Sequence, residues 1–233
     1  MFYGENIESF SLPLIELERR TGTIDTRIWC ELPDLVYPGD EEDVLNRLLN
    51  LKERGLTDAV CSNIGTIRLA AEAGLRVHGG YGLNITNSIA AAVYAELGVT
   101  DLLLSFEMPF PKMRDLFSEI PLGCIIAGRL PLMQFRSCPA RKNTGCADCD
   151  GKPMITDRTG RTFHIECHER KYSTMHNALL YYTGDKQLPE LDYYLLYLTS
   201  ETAEEARKLL QCVAAREKPN GERTTGMSFR SLL

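Results

Sequence analysis

The sequence predicts an α/β domain with a mostly parallel sheet. Short apolar runs alternate with amphipathic stretches along most of the 233 residues. The runs are continuous rather than alternating, which is typical of parallel strands buried on both faces. Glycines at 55, 74 and 98 follow the amphipathic stretches, where they end helices.

The alternation places each element within a few residues. Strands are predicted at 27–32, 57–62, 75–79, 101–106, 122–127 and 193–199. Helices are predicted at 41–54, 64–72, 87–97, 111–118 and 203–216, and a hairpin over 154–163 turns at 157–160. This order fits either a (β/α) barrel or an open doubly wound sheet. No G-x-G-x-x-G motif follows a strand, so a dinucleotide-binding fold is disfavoured.

The pattern divides the chain into three parts of one integrated domain. Residues 1–130 carry most of the β/α units, and 177–233 return to the same plan with a tail. Residues 131–176 interrupt it with a polar segment rich in Cys, Lys, Arg, Gly and Asp. We interpret this segment as a cysteine-rich metal-binding insertion.

Charge and hydropathy narrow the class of protein. The net charge of −6 and pI of about 5.4 disfavour a protein that coats nucleic acid, but leave binding of one RNA segment open. No apolar run approaches the ~20 residues that span a bilayer, and no signal-peptide core is present, so we expect a cytoplasmic protein without a membrane partner. In a reducing compartment, eight cysteines are core residues or metal ligands rather than disulfides.

Four of the cysteines form the sharpest motif. Cys138, Cys146, Cys149 and Cys167 fall within 30 residues of a polar, glycine-rich stretch. Such thiolates bind Zn²⁺ or an iron–sulfur cluster, and spacing alone does not separate the two metals. The alternative is a set of free thiols on a loop. The remaining cysteines, at 30, 61, 124 and 212, lie in apolar elements and are interpreted as core residues.

Polar residues follow the predicted strands, where ligand sites of α/β proteins lie. Glu31, Asn63 and Asn84 are candidate substrate-binding residues. Glu107, Arg129 and His78 are candidate catalytic residues. A Glu107–Arg129 pair could instead be a structural ion pair, and His78 a core histidine with satisfied hydrogen bonds. His164, His168 and His176 are ambiguous between metal ligands and solvated loop residues.

Several motifs in order resemble the peptidase U32 family. They are Gly128-Arg129-Leu130-Pro131, Cys138-Pro139, Cys146-x-x-Cys149, Asp157-Arg158-x-Gly160 and Cys167, preceded by Thr57–Gly65 and Gly82–Ser88 and followed by Thr224-Thr225-Gly226. The resemblance covers most of residues 27–230 and is closest to the carboxyl-terminal portion of longer members. The chain lacks the His-Gly pair that many members carry where Ala127-Gly128 stands.

The resemblance implies a TIM-like (β/α) barrel, whole or partial, beside the cysteine cluster. The family name implies proteolysis of collagen-like substrates, while other members are oxygen-independent hydroxylases of RNA bases or a quinone precursor that carry a [4Fe–4S] cluster. The expected substrate is accordingly RNA, a peptide or a small molecule. Another U32-type domain or chain could complete the barrel, since only six strands are predicted where a closed barrel has eight.

Three hypotheses follow. The first is an iron–sulfur enzyme that modifies an RNA base or small aromatic substrate. The second is a metal-assisted peptidase, which a filled Cys₄ site disfavours because such zinc sites are structural. The third is a non-catalytic domain that a Cys₄ zinc site holds together.

Overall fold

A computed structural model describes residues 7–142, 145–147, 149 and 151–229. The fold is mixed α/β, and the chain divides into two compact units. Of the described residues, unit 1 contains those of 7–124 and 189–193, and unit 2 contains those of 125–188 and 194–229. Among the described residues, no helix is both long and apolar enough to cross a membrane.

Unit 1 is built on a parallel sheet. Its strands are β1 (Phe10–Pro13), β2 (Ile28–Glu31), β3 (Asp58–Cys61), β4 (Arg76–Gly79), β5 (Val99–Leu103) and the first half of β6 (Leu122–Gly128), side by side in chain order. Every neighbouring pair is parallel. This confirms the predicted parallel sheet and is consistent with part of a (β/α) barrel.

Helices connect these strands. They are α1 (Leu14–Glu18), α2 (Glu41–Glu53), α3 (Ile64–Glu72), α4 (Ser88–Glu96) and α5 (Phe110–Arg114). Asn63 and Asn87 begin α3 and α4 by accepting hydrogen bonds from the backbone N–H groups of Thr66 and Ala90. Acidic residues fill the first turn of α2, where the helix dipole favours them.

The two faces of the unit 1 sheet differ in polarity. Cys30, Ala59, Cys61, Val77 and Leu102 alternate along the strands and are at most 4% exposed, which makes one face an apolar core. The opposite face carries several polar side chains, because successive strand residues point to opposite sides. We call Trp29, Asp58, Arg76, His78 and Asp101 the polar face.

Unit 2 combines the end of β6 with a second sheet. Strand β11 (Leu180–Tyr182) pairs antiparallel with β6 and parallel with β13 (Arg223–Thr224), while β12 (Tyr193–Tyr197) also pairs with β6. The helix α6 (Ala203–Ala215) begins with a capping box of Thr202 and Glu205. Ala127, Tyr182 and Leu209 centre the apolar cluster, with Cys212 packed against it.

The second sheet lies in the segment predicted as an insertion. Its antiparallel order is β7 (Pro131–Phe135), β10 (Tyr172–His176), β9 (Thr162–His168) and β8 (Met154–Thr156). Strands β8 and β9 are the predicted hairpin, closed by the 157–160 turn around the Asp157 carboxylate. A short 3₁₀ helix (Pro139–Lys142) packs against β8. Because His164 and His168 lie in β9 and His176 in β10, the loop interpretation of these histidines is wrong.

Candidate functional site

The four cysteines of the predicted cluster lie around the second sheet. All are reduced, Cys146 is exposed, and the other three are half-buried. Cys167 is in β9, Cys138 directly precedes the 3₁₀ helix, and Cys146 and Cys149 lie between that helix and β8. Within the described ranges, no three His, Cys, Asp or Glu side chains lie close enough together to hold a metal ion.

Gly151 connects two of the four cysteines. Its backbone N–H donates to the Sγ of Cys149 at 3.4 Å, and its carbonyl accepts from the N–H of Cys167 at 3.0 Å. Its φ of 84° is one that glycine adopts readily. Backbone donors to sulfur stabilise thiolates and tune iron–sulfur sites. Arg170, in the β9–β10 turn, donates to the carbonyl of Cys146 at 3.3 Å.

The surroundings of Cys167 provide a further polar group. Ser173 of β10 is directly opposite Cys167 in the antiparallel register, so the two side chains share one face. Ser173 is 1% exposed, and its Oγ has no hydrogen-bond partner within the described part of the chain. A hydroxyl can donate to a thiolate or a cluster sulfur. Four thiols, a backbone N–H and a buried hydroxyl have the chemistry of a metal–thiolate centre, but the described side chains do not converge on one, so metal binding by these cysteines stays a prediction.

The other face of the same strands is lined by histidine and glutamate. His176 is 1% exposed, with its Nε2 3.1 Å from Glu166 Oε2 and its Nδ1 3.2 Å from the carbonyl of Arg129. Burial raises the pKa of Glu166. The hydrogen bond from His176 and the charges of His168 and His176 lower this pKa by more, so the net shift is downward. Burial and the charge of Arg129 lower the pKa of His164.

Arg129 is held in place by the backbone. It donates to the carbonyls of Ala178 and Asn177, the second at 3.4 Å, and its Nε is 3.6 Å from Glu201 Oε1. Three acceptors thus surround a guanidinium that is 26% exposed. Arg129 is thus paired with Glu201, whereas the partner predicted from the sequence was Glu107, and the catalytic role of Arg129 stays a prediction.

His78 occupies the centre of the polar face in unit 1. Its Nε2 is 2.8 Å from Asp58 Oδ1, and its Nδ1 hydrogen bonds with Asp101. Burial lowers the pKa of His78, but both carboxylates raise it, and the net shift is upward. Both ring nitrogens contact carboxylates, which favours the protonated imidazole and leaves neither nitrogen open to a substrate. We call this the fixed-cation interpretation of His78. Its proposed catalytic role has no support in this geometry and stays a prediction.

Asp58 connects His78 with two further side chains. Its carboxylate, at 0% side-chain exposure, also accepts from Arg76 Nε at 2.5 Å and from the Thr57 hydroxyl at 2.5 Å. Burial raises the pKa of Asp58, but the hydrogen bonds from Arg76, Thr57 and His78 lower it to about 2. Asp58 and Asp101 were not predicted as site residues. A carboxylate inside an apolar strand is rare unless it is paired, and this was the signal in the sequence that could have identified them.

The three candidate substrate-binding residues, and the candidate catalytic residue Glu107, lie at or after the carboxyl ends of strands in unit 1. Glu31 is the last residue of β2, and Glu107 lies in the exposed turn after β5. Asn84 is exposed, with a left-handed φ of 51°. Asn63 begins α3 and donates to the carbonyl of Asp34 at 2.8 Å, so its amide is engaged in local structure. A shared substrate site for these residues stays a prediction.

Comparison with known proteins decides the family. The model of peptidase family U32 matches residues 12–147, which is more than half of the chain. The chain belongs to peptidase family U32. It is also 34% identical over 159 residues to an uncharacterized protease of Methanocaldococcus jannaschii, in a match that covers 59% of this chain and 38% of that protein. No solved structure matches the chain. This U32 chain therefore spans well under half the length of the relative that it matches.

Proposed function

We propose that this U32 chain holds an iron–sulfur cluster on Cys138, Cys146, Cys149 and Cys167, and acts in the oxygen-independent hydroxylation or a related modification of an RNA base or small aromatic substrate. The observation that carries the proposal is the placement of Gly151, which hydrogen bonds with both Cys149 Sγ and the Cys167 backbone. When bound, a [4Fe–4S] cluster supplies electrons to the substrate or activates it. Zinc is the alternative metal.

The surroundings support a thiolate centre in two ways. A polar segment with few apolar side chains gains order from a metal cross-link, since binding energy becomes folding energy. In addition, the buried Ser173 hydroxyl gains a hydrogen-bond acceptor if Cys167 carries a thiolate or cluster sulfur, which removes the cost of its missing partner.

Matched cysteine variants test the ligand set. Protein purified anaerobically should lose most of its iron in Cys146→Ser, because a cluster needs each thiolate ligand. Cys212→Ser is the control, since Cys212 packs against the apolar cluster of unit 2. Equal metal content in both variants would remove Cys146 from the ligand set.

The substrate class needs a separate experiment. RNA from cells with and without the gene is digested to nucleosides and compared by mass spectrometry. The proposal expects a nucleoside one oxygen atom heavier than its parent to disappear when the gene is removed. An unchanged nucleoside set would contradict RNA modification and leave the small aromatic substrate to be tested.

A metal-assisted peptidase is the second candidate, and the name of the family and the name of the archaeal relative, an uncharacterized protease, support it. Glu166 is the nearest carboxylate in sequence to Cys167, but it hydrogen bonds with His176. Cleavage of denatured collagen by the metal-loaded protein, lost on chelation, would favour this function. Metal-loaded protein that leaves the substrate intact would count against it.

A further inference from the structure

Unit 2 contains an open cavity outside the cysteine cluster. Its volume is about 560 Å³. Charged and hydroxyl-bearing residues dominate its lining, which consists of Tyr182, Asp185, Lys186, Lys218, Gly221, Arg223, Thr224 and Thr225. We propose that this cavity binds the phosphate group of a phosphate ester.

The charge of the cavity lining favours an anionic ligand. The lining carries three cations, Lys186, Lys218 and Arg223, against one carboxylate, Asp185. The whole chain carries −6, so this local excess of positive charge runs against the average of the molecule. A phosphate monoester carries about −1.5 to −2 at neutral pH, which matches the net charge of the lining.

Asp185 fixes the position of one of the lining cations, Lys186. Its side chain is 6% exposed, and its Oδ2 is 3.1 Å from Lys186 Nζ. Its Oδ1 is buried and has no hydrogen-bond partner within the part of the chain that the structure describes. A buried carboxylate is retained at a cost, and here it holds Lys186 at the cavity wall. Lys218 and Arg223 are exposed, and in the described part of the chain neither forms an ion pair with Asp185, whose ion-pair partner is Lys186.

Arg223 and Thr224 in the lining have hydrogen-bond donors available for a phosphate oxygen. Arg223 gives one N–H to the carbonyl of Pro219 at 3.3 Å, and a guanidinium has five. The Thr224 hydroxyl accepts from the Gly226 N–H at 3.1 Å, which leaves its own proton to donate. Arg223 and Thr224 form β13, paired with β11, so both donors stand on a strand rather than on a free loop.

Binding is measured by calorimetry on the full chain with three probes. They are adenosine 5′-monophosphate, a short RNA with a 5′-phosphate and the same RNA with a 5′-hydroxyl. If the nucleotide and the 5′-phosphorylated RNA bind but the 5′-hydroxyl RNA does not, the ligand is a terminal phosphate. If both RNAs bind but the nucleotide does not, the ligand is the phosphate backbone of the strand. Either outcome supports a phosphate site, and no binding of any probe overturns it.

Matched lysine variants locate the binding. Lys218→Ala should weaken binding at least about tenfold, because a charge-assisted contact is lost. Lys208→Ala removes the same charge from α6 in the same unit, where Lys208 pairs with Glu204. Equal loss in both variants would overturn the assignment to this cavity. Neither lysine variant should change the metal content of the protein. A failure of the phosphate proposal can therefore be told apart from a failure of the cysteine-cluster proposal.

Discussion

The imidazole of His78 lies flat against the indole of Trp29, with ring centroids 3.7 Å apart and ring planes 8° apart. Trp29 is the single tryptophan in the sequence. The indole thus stacks on a ring that hydrogen bonds with Asp58 on one side and Asp101 on the other. A cation on the face of an indole is favourable, so the stack and the two carboxylates stabilise the same protonated histidine.

The fluorescence of Trp29 should report the charge of His78. A protonated imidazole in contact quenches indole emission, so the emission of the wild type should rise with pH, with a midpoint above the ordinary histidine pKa of 6.5. The upward pKa shift also stabilises the fold below that value, and this contribution is lost as the pH rises through the folded-state pKa.

His78→Gln is the matched variant for this titration. Its emission should be brighter than that of the wild type and flat over the same pH range. His168→Gln, a change in unit 2, should leave the titration unchanged. A wild-type midpoint at or below pH 6.5 would contradict the fixed-cation interpretation of His78.

Replacing Asp58 by Asn should destabilise the protein. The native pKa of Asp58 is about 2, against an ordinary value of 3.8. A depressed pKa contributes stability above pH 4, here about 2 kcal/mol in the free energy of unfolding at pH 7, and the contribution is lost between pH 4 and 2. Urea denaturation of Asp58→Asn and wild type should therefore differ at pH 7 and converge as the pH falls. Asp25→Asn, at the surface, should change little; a similar effect in both variants would refute the argument.

Arg129→Lys should weaken unit 2. A lysine cannot reproduce the planar fork that reaches the carbonyls of Ala178 and Asn177 and the carboxylate of Glu201. We expect about 1–2 kcal/mol lower unfolding free energy, measured by urea denaturation. Arg158→Lys, in the exposed hairpin turn, is the control. Unchanged stability with lost activity would instead support the catalytic role predicted from the sequence.

Gly128→Ala should prevent normal folding of unit 2. Gly128 has a φ of 141°, and a Cβ built there would lie 2.0 Å from the carbonyl oxygen of Tyr197. Because the contacted atom belongs to the backbone, it cannot move away without disturbing the fold. We expect the free energy of unfolding to fall by more than about 3 kcal/mol, seen as insoluble protein or a low melting temperature. Gly145→Ala meets nothing within 4 Å and should melt like the wild type. Wild-type stability of Gly128→Ala would show that this close approach does not exist.

The sequence predicted β2–β6 within a few residues because each contains a short run of apolar residues between turns or helices. It also predicted the β8–β9 hairpin from its turn. It missed β1 (Phe10–Pro13), which is four residues long and ends in proline, and it missed β7 and β10. Antiparallel strands with one polar face, such as β10 with Thr174 and His176, carry no continuous apolar run.

For the candidate site, the burial of single residues was predictable from the sequence, but the pairing of residues from different strands was not. The core assignment is confirmed for Cys30, Cys61 and Cys124, because an apolar neighbourhood in sequence predicts burial. The pairing of Asp58 with Arg76 and His78 was not predictable, since it depends on the register of β3 and β4. The cavity of unit 2 draws residues from two separate stretches of the chain, 182–186 and 218–225, and no local pattern shows that they meet.

Iron and acid-labile sulfide content in anaerobically purified protein tests the central proposal most directly. The account predicts about four of each per chain, with broad absorbance near ~400 nm that Cys146→Ser loses. Stoichiometric zinc in a colourless protein, or no metal together with well-separated sulfurs of the four cysteines in a reduced experimental structure, would contradict it.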